Sequence, residues 1–62
     1  MTRYLETIYH GISLYYAGRE NDTIRLEPKK QNAVPFISQE AAQHAAKNLA
    51  QEYRRDDFFI VQ

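Results

Sequence analysis

The chain contains no cysteine, so neither a disulfide nor a cysteine-ligated zinc site can hold it together. Glycine and proline are scarce, two of each, and Gly11 and Gly18 precede no helix start, which excludes the glycine-rich phosphate loop of a nucleotide site. There is no low-complexity tract, internal repeat or interdomain linker. Neither sign of charge is in excess: eight Lys plus Arg balance eight Asp plus Glu, so no net field steers the protein towards nucleic acid or anionic lipid, or makes it an acidic mimic of DNA. The opening MTRYLETIYHG has no apolar leader segment and no run reaches bilayer length, which leads us to expect a cytoplasmic chain without membrane contact.

What is present is enough to fold. Hydrophobic residues make up 44% of the chain, well above what a disordered segment carries. Sixty-two residues form one domain, 1–62, and a chain of this size buries only about 60% of the surface that its unfolded state exposes. With disulfides excluded, self-association or a protein partner is the remaining way to reinforce a thin core.

The segment SQEAAQHAAKNLAQEYRR, Ser38 to Arg55, reads as a helix: Ala42, Ala45, Ala46, Leu49 and Tyr53 fall on one face. Ser38 is placed to cap the first turn, Glu40 suits the positive end of the dipole, and Arg54 and Arg55 suit the negative end. The opposite face, with Glu40, Gln43, His44, Lys47, Asn48 and Gln51, is polar. A buried face made largely of alanine lets the helix lie close to what it covers, and a sheet is the natural candidate. Pro35 biases Val34 towards an extended backbone, so the helix cannot run further back, and Phe36 and Ile37 are expected to tuck under its start.

Beyond the helix, Asp56-Asp57 breaks the pattern and FFIV reads as a strand, with Phe58 and Ile60 on one side and Phe59 and Val61 on the other. A strand apolar on both sides is expected at the centre of a sheet, with both faces at least partly covered. In the first half, RYLETIYHGISLYYAG fits two strands joined at His10-Gly11, Leu5, Thr7 and Tyr9 sharing one face and Ile12, Leu14 and Tyr16 another. The same residues fit a helix through Leu5, Ile8, Ile12 and Tyr15. The wealth of Thr, Ile and Tyr, and the cost of about 1 kcal/mol for Gly11 inside a helix, favour the strands, and both readings stand at this point. Gly18 to Asp22 reads as a turn, Thr23 to Glu27 as a third short strand, and Pro28 to Asn32 as a polar loop.

The expected class is therefore α+β: a small antiparallel sheet of three to four strands with one helix packed on one face, in the order β-β-(β)-α-β. Taken together, Tyr4, Ile8, Gly11 and Leu14 to Tyr16, then Ala33 to Phe36 with the alanine-rich helix, then Phe58 to Val61, make the chain resemble small single-helix proteins found as accessory open reading frames of phages and prophages. The likeness is architectural and covers most of the chain. It implies a binding protein that occludes a surface of a larger partner, and it assigns no functional residue.

Chemistry finds little footing. The only histidines, His10 in a turn and His44 on a polar helix face, have no nucleophile and orienting group arranged around them, and Ser13 and Ser38 fall in a strand and at a cap, so no catalytic residue is expected. Glu40 and His44 stand four apart on the helix, but two ligands do not make a metal site, and adjacent Asp56 and Asp57 point apart. Neither a metal, a cofactor nor a small-molecule substrate is expected.

Five tyrosines remain to be explained, at 4, 9, 15, 16 and 53, a residue type enriched where one side of a ring packs and the other meets a partner or water. Adjacent Tyr15 and Tyr16 in a strand must point to opposite faces, so one helix cannot bury both. The expectation is a non-enzymatic protein-binding module, a homodimer or the partner of another protein, with Tyr4, Ile8 and either Tyr15 or Tyr16 as contacts. The alternative is a nucleic-acid binder that uses Lys29, Lys30, Arg54 and Arg55 with bases stacked on sheet tyrosines. EAAQHAAKNLA resembles the last helix of double-stranded RNA-binding domains, but Ser38-Gln39-Glu40 stands where that family carries paired lysines.

Overall fold

The computed structural model describes all 62 residues. In chain order it has β1 (Tyr4–Tyr9), β2 (Ile12–Glu20), β3 (Thr23–Glu27), a single 3-10 turn (Lys30–Asn32), α1 (Gln39–Tyr53) and β4 (Phe59–Val61). The strands form one antiparallel sheet in the order β3-β2-β1-β4, with α1 packed on one face. The class is α+β, as the hydrophobic patterning predicts.

Two hairpins build the first three strands. His10 (φ 51) and Gly11 (φ 79) turn the chain between Tyr9 and Ile12, and Asn21 (φ 53) and Asp22 (φ 63) turn it between Glu20 and Thr23. Positive φ at both central residues marks the two-residue turns whose twist matches that of the strands they join. The helical reading of the first segment is thereby excluded. The turn expected over Gly18 to Asp22 is shorter than its composition predicts, because β2 runs on to Glu20 and only Asn21-Asp22 reverses the chain. Gly18 (φ 106) lies instead in a bulge: between the pairs Tyr16↔Leu26 and Arg19↔Ile24, β2 holds one residue more than β3. The extra residue resets the alternation, so Arg19 shares a face with Tyr16.

Cross-strand partners share a face, so the register sorts the side chains. Leu5, Thr7, Leu14, Tyr16, Leu26 and Ile60 lie on the helix side, and Tyr4, Glu6, Ile8, Ser13, Tyr15, Glu27, Phe59 and Val61 on the outer side. The core is thin. Only Leu5, Thr7, Ala42 and Leu49 are buried, four residues of 62, with Tyr16, Ile24, Phe36, Ala45, Ala46, Tyr53, Phe58 and Ile60 packed around the three apolar ones. Tyr16 stacks on Phe36 at 6.4 Å between ring centroids and meets the edge of Phe58 at 6.3 Å.

The helix begins as its sequence predicts, with the Ser38 hydroxyl accepting a hydrogen bond from the Ala41 amide at 3.1 Å. Its other end differs from expectation. Arg54 adopts the left-handed conformation (φ 57) usual for a terminating glycine, and Arg55 follows it out of the helix, so neither arginine lies in the last turn beside the dipole. Ile37, expected under the helix start, is 87% exposed, and Phe36 alone turns inward. β4 is an edge strand and not a central one: its two apolar sides face the core and the uncovered face of the sheet.

Candidate functional site

The outer face of the sheet is organised in rungs. Tyr15 stands opposite Glu27 of β3 and Glu6 of β1, and Glu6 stands opposite Phe59 of β4, so Glu27, Tyr15, Glu6 and Phe59 form one row across all four strands. Tyr4 pairs with Val61 on one side of this row and Ile8 with Ser13 on the other. Ile8 and Phe59 are each 58% exposed. Close spacing of these positions across strands makes one continuous apolar and acidic surface.

A lysine is laid onto it by the segment between β3 and α1. The hydrogen-bonded pairing of β1 with β2 runs from Tyr9↔Ile12 to Glu6↔Tyr15. Further along, the Val34 amide donates to the Tyr16 carbonyl at 2.9 Å, and Arg3 and Phe36 exchange two backbone bonds of 2.8 Å. Tyr9 directs its amide and carbonyl towards β2 at the hairpin, and by the alternation of an antiparallel ladder so does Arg3, so Phe36 takes the place that β2 has left. The segment thus crosses the plane of the sheet in the fork between β1 and β2. It ends on the helix side with Phe36 against Tyr16 and starts on the outer side with Lys30, whose ammonium is 5.7 Å from the ring centroids of both Tyr4 and Tyr15 and donates to the Gln62 main-chain oxygen.

The remaining outer charges are unevenly partnered. Arg25 bridges Glu27 at 3.1 Å and Glu20 at 3.6 Å. Neither Glu6 nor Lys30 forms a salt bridge with another side chain. Hydrogen bonding to the Glu6 carboxylate is the main reason the Tyr15 phenol titrates above its ordinary value.

On the helix side, α1 stops short of the β1–β2 hairpin and leaves a groove of about 460 Å³ lined by Thr7, Tyr9, Leu14, Leu26, Arg55 and Asp57, among others. Its polar wall is closed on itself. The buried Thr7 hydroxyl donates to Asp57 at 2.7 Å, the Arg55 guanidinium donates to both oxygens of Asp57 at 2.9 and 3.0 Å, and Arg55 lies 5.2 Å over the Phe58 ring. Arg55, with help from Thr7, lowers the Asp57 pKa to about 2. This cluster fastens the helix exit to β1, which is a structural task. Farther along, Arg19 grips Glu52 through two bonds of 2.9 and 3.1 Å and ties the β2–β3 hairpin to the helix.

Of the contact residues expected from sequence, Tyr4, Ile8 and Tyr15 are together on the outer face, whereas Tyr16 belongs to the core and leaves the contact set. Phe59, Val61, Glu6 and Lys30 complete the surface. Alternation in FFIV pairs Phe59 with Val61, but nothing in the sequence says which pair faces out. The four basic residues of the alternative do not gather: Lys30 is on the outer face, Arg55 is engaged with Asp57 on the helix side, and Lys29 and Arg54 are exposed. His10 packs edge-on against Tyr9 at 4.1 Å, His44 sits on the exposed helix face, and there is no cluster of three metal-ligating side chains. No helix is long and apolar enough to cross a membrane. No protein-family model, curated protein or solved structure matches the chain.

Proposed function

We propose that the protein is a non-enzymatic binding module that works through its outer sheet face, and that the partner covering that face is a second copy of the chain. The observation that carries this reading is the second apolar surface of a sheet with only one helix: Tyr4, Ile8, Tyr15, Phe59 and Val61 lie together, covered only where the 3-10 turn lays Lys30 over Tyr4 and Tyr15. With four fully buried residues in each chain, stacking two such faces about 10 Å apart would add an interior layer that one copy cannot build. Occlusion of a larger protein, the role implied by the phage-accessory likeness, would engage the same face.

The measurement is solution mass by sedimentation equilibrium across a range of concentrations, for the wild type and for Phe59→Asp. The expected result is a concentration-dependent doubling of mass in the wild type and a folded monomer in the variant. A wild-type chain that stays monomeric at every concentration, or a variant that associates as before, overturns the assignment. Retention on immobilised nucleic acid that falls steeply with salt would put the basic residues in its place.

A further inference from the structure

We infer that Glu6 and Lys30 are the specificity pair of this self-association, the Lys30 ammonium of each copy meeting the Glu6 carboxylate of the other. The inference rests on the outer face being the contact between copies, and it names what sets their register.

Three observations lead to it. First, Arg25 shares its one positive charge between Glu20 and Glu27, whereas Glu6 and Lys30 take part in no salt bridge with another side chain. Second, these two flank the same ring: Glu6 is the cross-strand neighbour of Tyr15, and Lys30 lies 5.7 Å from the Tyr15 centroid, yet they do not bridge each other within the chain. Third, Lys30 is held in place by two rings and the Gln62 main-chain oxygen, so its charge is presented at a fixed position.

A two-fold contact is isologous: if one residue meets a second across it, the second meets the first. One acid and one base on either side of a common ring satisfy that condition when the axis passes near Tyr15, and both charges are then paired at once. Any stacking that buries the apolar rungs without pairing them leaves an uncompensated charge in the interface, and a slide that brings like against like is repelled. The pair therefore selects one register among the many that a flat apolar face would accept. The bridged Arg25 contributes to none of this, because its charge is spent within its own chain.

The test exchanges the charges. Glu6→Lys places two cations against each other in the homodimer, and Lys30→Glu places two carboxylates, so each variant alone should dissociate about tenfold or more readily than the wild type. An equimolar mixture of the two brings opposite charges together at both contacts, and the expected result is a heterodimer close to wild-type affinity, seen by sedimentation equilibrium and by native mass spectrometry. Contacts within one chain cannot produce that rescue. Glu6→Gln and Lys30→Gln are the milder controls, expected to weaken the dimer and to flatten its salt dependence, with circular dichroism confirming the fold. A wild type that dimerises while the mixture stays monomeric, or single variants that dimerise like the wild type, overturns the pair and leaves the outer-face contact standing. A wild type that never dimerises overturns both.

Discussion

Tyr15 and Tyr16 are consecutive in β2, and the sheet sends them into different environments. Tyr16 is held between Phe36 and Phe58 beneath the helix, while Tyr15 lies on the outer face between two glutamates, with a lysine over its ring. The helix side is closed by packing, with Leu5, Ala42 and Leu49 at its centre and ion pairs at its margins, Arg19 with Glu52 and Arg55 with Asp57. The outer side has the same strands and similar rings, but only Lys30 of the 3-10 turn lies over it. One sheet thus carries a face that makes the fold and a face left over from making it. In a chain this short the second is a liability unless something covers it.

The comparison breaks most readily at the centre of the helix side. Leu49 is 1% exposed, and Leu49→Ala should cost about 3 kcal/mol, enough to bring so small a domain close to its unfolding midpoint in water. Urea denaturation followed by circular dichroism reads it, and a loss below about 1 kcal/mol would mean that the helix is not what secures this face. Tyr16→Ala should follow, at about 2 kcal/mol, because its ring is only partly buried but lies against two others.

The next effect is confined to acid. Asp57 titrates at about 2 in the folded chain against an ordinary 3.8, so between these values the unfolded chain binds more protons than the folded one. The stability contributed by Asp57 is complete above about pH 4 and is lost as the pH falls towards 2. The carboxylate is 49% exposed, and after solvent screening its share is about 1 kcal/mol. Asp57→Asn should remove that amount at neutral pH and flatten the pH dependence in this window, as measured by urea midpoints from pH 2 to pH 5. An unchanged acid slope would mean that the Thr7–Asp57–Arg55 cluster does not fasten the helix exit.

Local rules made most of this fold legible, and long-range ones hid the rest. The period of the alanines gave the helix, Ser38 its start, and the shared faces of Leu5, Thr7, Leu14 and Tyr16 followed from alternation within each strand. The end of β2 was hidden because a bulge at Gly18 and a turn at Asn21-Asp22 have the same composition as one longer loop. The edge position of β4 was hidden because a strand facing a core on one side and an uncovered face on the other looks, in sequence, like a strand buried on both. The site was legible in part: Tyr4, Ile8 and Tyr15 could be named, but choosing between Tyr15 and Tyr16 required knowing which face the helix takes. In sequence Lys30 is only a loop cation, because its place over Tyr15 depends on a segment that crosses the sheet at a fork between strands.

The smallest folding effect separates the two faces most sharply. Tyr15→Ala removes a ring of the same type as Tyr16, one position away, so strand propensity and unfolded-state effects are nearly matched between the two variants. What differs is the surroundings. Tyr15 loses cross-strand contact with Glu6 and Glu27 and the ammonium of Lys30, interactions of a partly exposed face, and the expected cost to the monomer is about 0.5 kcal/mol. Urea curves at successive dilutions make the distinction quantitative. At concentrations where the chain is monomeric the gap between Tyr16→Ala and Tyr15→Ala should be widest. As concentration rises, the wild type should gain stability by mass action while Tyr15→Ala does not, so the cost of Tyr15→Ala should grow with concentration. A cost that is equally small at every concentration would return Tyr15 to the status of an ordinary surface ring, and a cost as large as that of Tyr16→Ala in the monomer would mean that the outer face takes part in the core.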